Sequence, residues 1–289
     1  MVDVSVIIVN YNTRELTSQC IESIYKYSQS ISFEIILVDN NSYDNSLPYL
    51  KEKFPELLII HNENNLGFGR ANNIGAAKAN GRYLFFLNSD TILIENVISS
   101  FFKFMETHNN YASCGCNLVN TQNAPVPSHG NLPSLKMELF SGPVGRFLRG
   151  YFNKYLSPTQ TINEGNLKNP GYIAGADIFI RKEVFESLKG FDSNIFMYFE
   201  ETDLYYRMKK NGFQSVVLPQ LSIIHLGGGS FTSTDNLNKF RMMESSRSYY
   251  YKKNYSRCYS ATTKLVRAFN ILLSCQKNKK EKIKIVLYT

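Results

Sequence analysis

Val4-Ser5-Val6-Ile7-Ile8-Val9 runs straight into Asn10-Tyr11-Asn12-Thr13 near the start of this chain. A β-branched apolar run that stops abruptly at asparagines reads as a strand buried on both faces, because a half-exposed strand would alternate polar and apolar positions. Thr13 then precedes Leu16, Cys20, Ile24 and Tyr27. Those spacings of four and three trace the apolar stripe of a helix, with Thr13 at its cap. Strand, polar turn and helix make the first unit of an α/β fold.

The alternation continues outward from there. Further strands are expected at residues 34–38, 57–60 and 83–87, with a weaker one at 112–119, and helices at 46–54, 68–79 and 94–105. Near-continuous apolar strands alternating with helices predict a Rossmann-like, mostly parallel sheet flanked by helices. Ligands bind such sheets beyond the carboxyl ends of the strands. Here those ends empty into Asn10-Tyr11-Asn12, Asp39-Asn40-Asn41-Ser42, Asn62-Glu63-Asn64-Asn65 and Asn88-Ser89-Asp90. Any one cluster is ordinary turn chemistry. Four in succession point to a polar ligand.

Residues 120–169 carry Pro125, Pro127, Pro133, Pro143 and Pro158 and read as an irregular excursion with one or two short helices, the kind of long loop that often serves as a lid. Order resumes at Pro170 and leads to a helix over 200–210. Beyond Gly227-Gly228-Gly229, segments 237–259 and 262–273 read as aromatic, basic helices. The expected division is a domain over 1–231, with a nucleotide-binding half (1–120) and an acceptor and catalytic half (121–231), then a helical extension over 232–289. No internal repeat is present.

Bulk composition narrows the function classes. The chain has 289 residues, of which 43% are hydrophobic and 13% aromatic, which is a globular rather than a disordered composition. Its net charge of +8 is lopsided: residues 239–289 hold thirteen Lys/Arg against two Glu, whereas the preceding 238 hold 19 basic and 22 acidic residues. A nucleic-acid binder would carry its basic residues across the body, so that class is set aside. Cys20, Cys114, Cys116, Cys258 and Cys275 are scattered without metal-ligand spacing and read as free thiols. With no basic leader and no apolar run of about 18 residues, the expected location is the cytosol. The +11 segment over 239–289, interleaved with Tyr249-Tyr250-Tyr251, Phe269, Ile271, Leu272 and Leu273, can be either a packed helical pair or a peripheral contact with an anionic inner membrane leaflet.

Three clusters carry chemistry. Phe85-Phe86-Leu87-Asn88-Ser89-Asp90 ends a buried strand in a carboxylate, which a divalent cation bridging to diphosphate oxygens would compensate. Ile195-Phe196-Met197-Tyr198-Phe199 precedes Glu200-Glu201-Thr202-Asp203. Carboxylates in a first turn are ordinary dipole and capping choices, but at the edge of an apolar flank they gain proton affinity, as a general base needs. Asp203 and Arg207 are spaced to pair on the helix. Finally, Ile223-Ile224-His225 runs into the three glycines. Such a His is either a satisfied core residue or a neutral metal ligand beside a phosphate.

Taken in order, the chain resembles inverting family-2 glycosyltransferases of the GT-A fold, in a rhamnosyltransferase-like branch. The resemblance covers about residues 4–231. It is carried by Val6-Ile7-Ile8-Val9-Asn10-Tyr11-Asn12, Leu37-Val38-Asp39-Asn40-Asn41-Ser42, Asn65-Leu66-Gly67-Phe68-Gly69-Arg70-Ala71-Asn72-Asn73-Ile74-Gly75, Asn88-Ser89-Asp90, Ala174-Gly175-Ala176-Asp177, Gly190-Phe191-Asp192, Tyr198-Phe199-Glu200-Glu201-Thr202-Asp203 and His225-Leu226-Gly227-Gly228-Gly229.

The resemblance implies a sugar transferred with inversion from a nucleotide-diphosphate donor, dTDP-rhamnose or a UDP-sugar, to a hydroxyl of a lipid-linked saccharide in bacterial surface-polysaccharide synthesis. It implies Mg2+ or Mn2+ on Asp90 and His225. Asn10, Asp39, Asn41, Gly67, Arg70, Asn72 and Asn88 would line the nucleotide pocket, with Asp39 on the base and Asn88 near the ribose, and Gly175 and Ala176 would border the donor sugar. Glu201 would be the catalytic base and Asp203 an acceptor-orienting carboxylate. Asn88 stands where the family more generally has Asp. Glu201 stands where Asp is usual, which leaves Glu200 as a rival base. Two other classes fit less well. A nucleotidyltransferase would place a Gly-rich basic loop where Asn10-Tyr11-Asn12-Thr13 stands, and an inactive sugar-nucleotide-binding scaffold would lack the base or the metal ligands.

Overall fold

The structure, a computed structural model, describes residues 2–142, 145, 169–227, 236–275 and 277–289. The first 120 residues follow the expected alternation: β1 (Val4–Asn10), α1 (Arg14–Tyr27), β2 (Phe33–Asp39), α2 (Ser46–Lys53), β3 (Leu58–His61), α3 (Phe68–Ala76), β4 (Tyr83–Asn88), β5 (Thr91–Leu93), α4 (Val97–Thr107) and β6 (Tyr111–Val119). The excursion holds β7 (Pro125–Val126), β8 (His129–Gly130) and α5 (Leu135–Ser141). After it come β9 (Tyr172–Ile173), β10 (Asp177–Arg181), α6 (Lys182–Ser187), α7 (Glu200–Lys210) and β11 (Gln214–His225). The extension is α8 (Asn236–Asn254), α9 (Arg257–Leu273) and α10 (Lys279–Tyr288).

One sheet runs in the order β3-β2-β1-β4-β10-β6-β11-β5, with β7 on the outside of β6, while β8 and β9 pair separately. The parallel set is β3, β2, β1, β4, β6 and β11; β10, β5 and β7 run against it. The sheet is therefore mixed but mostly parallel. Antiparallel β10 lies in its middle, so both halves of the chain contribute to one sheet.

Alternation within the strands explains why both faces are covered. Val4, Val6 and Ile8 pack with Cys20, Ile21 and Ile24 of α1 and Phe101 and Met105 of α4. Ile7, Ile36 and Phe86 point the other way, onto Ala71 of α3, Phe185 of α6 and Leu204 of α7. Successive strand residues face opposite sides, so a continuous apolar run needs a helix on each.

Several expectations are corrected. Thr13 occupies the cap position of α1, but its hydroxyl makes no capping bond; it donates to Asn10 Oδ1 instead. The extension breaks at Tyr255-Ser256, where Ser256 caps α9, and it includes a third helix. Pro143, Pro158, Gly228, Gly229 and the boundary near residue 231 lie outside the described residues. Of the two alternatives for the extension, Tyr250 and Tyr251 follow the packed one: they are buried and pack with Phe199, Tyr206 and Tyr259. α8 is thereby joined to the body by a core of its own.

Tyr250→Ala removes a fully buried ring from that core and should lower stability by about 3–5 kcal/mol. Calorimetry should show one lowered transition. Separate melting of the extension and the sheet would refute a shared core.

Candidate active site

Four strand ends organise the first half of the site. In the sheet register Asn10 lies opposite Asp39, Asp39 opposite His61, and Val9 opposite Asn88. Asn10 Nδ2 donates to Asp39 Oδ1 at 2.8 Å and to Ser42 Oγ at 2.9 Å, while its Oδ1 accepts from Thr13 and Thr17. Asp39 is fully buried. Its other oxygen accepts from the Ser42 N–H and lies 3.0 Å from His61 Nδ1. His61 is the half-exposed member of this row. Asn41 adopts a left-handed turn and is exposed.

Its neighbour Asn40, unselected by sequence reasoning, holds the next loop. It donates to Asn65 Oδ1 and accepts from Asn62 Nδ2 and the Leu66 N–H. The asparagine clusters therefore knit one another into a rim.

That rim ends at Gly67, which has φ +80°. A Cβ there would lie 2.1 Å from the Phe196 carbonyl oxygen. Glycine is required twice over, by the backbone conformation and by the close approach. The next amide, Phe68 N–H, donates to that same Phe196 oxygen at 3.0 Å. The start of α3 is thus clamped onto the segment leading to α7.

Asn73 repeats the tie one turn on, donating to the Phe191 carbonyl and accepting from its N–H. Arg70 reaches the Ser193 carbonyl of that segment. Asn72 is buried and donates to Phe68 O within its own helix.

Tyr198 and Phe199, the last two residues before α7, have φ +66° and +72°. For bulky residues these are strained conformations that persist only when neighbours over-determine them, and such strain clusters at functional sites. α8 supplies the determinants here. Ser246 Oγ donates to Met197 O at 2.7 Å, Arg247 stacks over the Phe199 ring, and Tyr250 packs against it.

The strained turn delivers the acidic residues. Glu200 is buried, and its Oε2 has no hydrogen-bond partner among the described residues. Burial, then the neighbouring Glu201, pushes its carboxyl well above the usual range. Glu201 is partly exposed and also raised by its surroundings, although its own and the Thr202 amide and the Thr202 hydroxyl oppose the shift. Asp203 is fully buried. It receives Arg207 Nε at 2.7 Å, Lys253 Nζ at 2.8 Å and Asn254 Nδ2 at 3.1 Å. Its carboxylate ties α7 to α8, and these protein donors occupy both oxygens.

The other half of the site is at the end of β4. Asn88 N–H donates to Ala176 O, and a side chain at Gly175 would meet the Phe68 ring at 3.5 Å. Asn88, Gly175 and Ala176 therefore border the clamped start of α3. Two residues on, Asp90 Oδ1 lies 3.3 Å from His225 Nε2. The β5–β11 pairing, with Thr91 opposite His225, and a Leu226 N–H bond to Asp90 O bring them together. A carboxylate oxygen and an imidazole nitrogen at this separation suit a divalent cation. Among the described residues no third His, Cys, Asp or Glu joins them. From Glu201 to Asp90 the connection runs through Phe196, Phe68, Gly175 and Asn88.

Sequence reasoning missed Asn40, Ser42, His61, Asn73 and Lys253. His61 had a signal: it ends β3 in the position that Asn10 and Asp39 hold in theirs. Asp177 was also unselected. It is buried next to Ala176, accepts the Cys116 N–H at 2.7 Å, and burial holds its carboxyl well above the ordinary range.

Comparison with known proteins follows this geometry. The family described as "Glycosyl transferase family 2" matches residues 5–188. "Glycosyltransferase GlyG" of Streptococcus pneumoniae is 34% identical over 103 residues, covering 35% of this chain and 34% of that protein. The "N-acetylglucosaminyl-diphospho-decaprenol L-rhamnosyltransferase" of Mycobacterium tuberculosis is 23% identical over 208 residues, covering 66% of each. The chain thus spans about a third of the first relative's length and just under two-thirds of the second's. Among solved structures, a mannosyltransferase of Pyrobaculum calidifontis in complex with GDP-Man and Mn2+ superposes with a TM-score of 0.57 at 12% identity, covering 99% of this chain and 73% of that one. The fold is GT-A.

Gly67→Ala should cost about 2–4 kcal/mol, since the new methyl must displace the Phe196 carbonyl. Thermal melting should show the loss. A variant that melts with the wild type would mean that the clamp is not a constraint.

Proposed function

Because the chain belongs to glycosyl transferase family 2, we propose that it transfers a sugar, with inversion, from a nucleotide-diphosphate donor to a saccharide hydroxyl. The observation that carries this reading is the meeting of Asp90 and His225 at 3.3 Å, brought together from distant parts of the chain. A divalent cation, Mg2+ or Mn2+, held by these two side chains would neutralise the leaving diphosphate. Among the described residues Asp90 and His225 are the two side chains that would hold the cation, so a diphosphate supplying further oxygens would strengthen its binding, and cation and donor would favour each other.

The chain's own residues do the rest. Asn10, Asp39, Asn41, Gly67, Arg70, Asn72 and Asn88 form the nucleotide side of the cleft. Asp39, held by Asn10, Ser42 and half-exposed His61, is the carboxylate for the base. Gly175 and Ala176 leave space for the sugar. Glu201, the more exposed of the two adjacent glutamates, takes the proton from the acceptor hydroxyl while that oxygen attacks the anomeric carbon. The new glycosidic bond forms as the bond to the diphosphate breaks on the opposite side, which inverts the centre. Burial and the neighbouring Glu201 disfavour the charged form of Glu200, which makes it the poorer base. Asp203 acts through position, fixing the helix that carries Glu201. The mycobacterial relative's name specifies a rhamnosyl group and a diphospho-decaprenol-linked acceptor. This supports dTDP-rhamnose ahead of a UDP-sugar as donor here, and a lipid-linked acceptor in surface-polysaccharide synthesis.

Glu201→Gln should reduce kcat by about 10²–10⁴-fold while donor binding, measured by thermal shift, stays near wild type. Glu200→Gln should keep most of the activity. The reverse pattern would reassign the base.

Desolvation raises the proton affinity of the partly exposed Glu201, so its carboxylate forms only at higher pH than that of a fully exposed glutamate, and the base form is lost as pH falls. The acid limb of kcat/KM should therefore lie above the ordinary carboxylate range; a limb at or below it contradicts Glu201 as base. Mn2+ should stabilise the wild type more with dTDP or UDP present than alone. Asp90→Asn and His225→Ala should each abolish that synergy, and its survival in either variant would discard the assigned ligands.

A further inference from the structure

α9 is built the reverse way round for a helix lying on a protein body. Its buried positions are Ser260, Thr263, Arg267 and Ile271. Spaced three and four apart, they form one face, and that inward face is mostly polar. The charge on it has partners: Arg267 is bonded to Glu244 of α8 and lies 3.6 Å from Glu138 of α5. The opposite face carries Leu265, Phe269 and Leu272, which are 63, 53 and 57% exposed. An amphipathic helix normally buries its apolar stripe. This one turns it to the outside.

A second feature adjoins the stripe. Lys279 Nζ donates to Leu272 O at 3.2 Å, which places the start of α10 against the end of the apolar face. Lys277, Lys280 and Lys284 are exposed there. An outward apolar stripe with a lysine cluster at one end matches the two layers of an anionic bilayer surface, acyl boundary and headgroups. A second copy of the chain is a poorer match, because a symmetric contact would set like-charged lysines near one another. No helix among the described residues is long and apolar enough to cross a membrane, so a helix used this way lies in the plane of the surface.

We propose that the outward face of α9 docks the protein on an anionic lipid surface, with Leu265, Phe269 and Leu272 entering the acyl boundary and the exposed Lys277, Lys280 and Lys284 meeting the headgroups. The proposal stands on these residues and not on the transfer reading; it holds whatever sugar, if any, is moved.

The test is flotation of the full-length chain with vesicles of roughly one-third phosphatidylglycerol in phosphatidylcholine, against phosphatidylcholine alone. Wild type should float with the anionic vesicles only. The triple variant Leu265→Ser, Phe269→Ser, Leu272→Ser alters exposed positions and should melt with the wild type while binding at least about tenfold more weakly. Lys277→Glu, Lys280→Glu, Lys284→Glu should lose the preference for anionic lipid. Equal flotation of wild type and the triple serine variant overturns the proposal. So does a wild type that never floats but elutes as a dimer that the serine variant lacks, since the face would then join two copies.

Discussion

The carbonyl of Phe196 holds the site together. It receives the Phe68 N–H at the start of α3 and passes so close to Gly67 that no side chain fits there. Everything on the strand-end side of the site is built up to Gly67: the row Asn10, Asp39, His61, then the asparagine rim through Asn40 and Asn65. Everything on the acidic side is built out from Phe196, through the strained Tyr198 and Phe199 to α7. This backbone contact, backed by the Asn73–Phe191 and Arg70–Ser193 bonds, therefore sets the spacing between the asparagine rim and the acidic helix. Because glycine supplies it, the distance is fixed by backbone atoms, which vary far less than side-chain rotamers.

The strained turn has to be held from a second direction, and the extension does this. Ser246, Arg247 and Tyr250 of α8 grip Met197 and Phe199, and Lys253 and Asn254 reach Asp203 one turn into α7. Burial works against the charge on Lys253, yet Asp192 and Asp203 outweigh it and its proton is held more tightly than usual. Asp192 bonds Lys253 in turn, and although burial would raise its carboxyl, these bonds bring it down to about 2. The helices after residue 231 thus belong to the mechanism of positioning, even though family similarity ends earlier in the chain.

How far the sequence could be read depended on the kind of signal. β1 to β4 were legible because each is an apolar run ended by polar residues, and helix periods follow them. β5, β7, β8 and β9 have two or three residues each and leave no period to detect. β10 carries Asp177 within a buried strand, so its pattern did not read as one. At the site, residue types were legible but partners were not. The resemblance picked out Asp39 and Asn41 and passed over Asn40, yet it is the turn that decides that Asn40 is buried and Asn41 exposed. Asp203 illustrates the same limit. Its pairing with Arg207 follows from helix spacing, whereas Lys253 lies too far along the chain to be foreseen, and it is the second cation that fills the carboxylate. For α9 the periodicity revealed two faces but carried no sign: the side that a helix buries is decided by its neighbours, here Glu138 and Glu244.

Those neighbours also resolve the charge asymmetry of the chain. Several of the extension's cations meet acids of the body or of their own helices: Arg267 with Glu244 and Glu138, Arg247 with Glu138, Lys253 with Asp192 and Asp203. These pairs are wholly or partly buried, where a single unpaired charge would be strongly unfavourable, so the cations and acids require one another for the fold. The lysines from residue 277 onward are of another kind. They cluster in α10 and its approach, and Lys277, Lys280 and Lys284 are exposed. The +11 of residues 239–289 is therefore two populations with different physical causes. The first explains why the extension packs on a body of net −3; of the second, Lys279 and Lys282 meet Leu272 O and the Phe240 ring and Lys284 lies 3.7 Å from Glu281, while Lys277 and Lys280 are turned to solvent, where a ligand outside the chain can meet them.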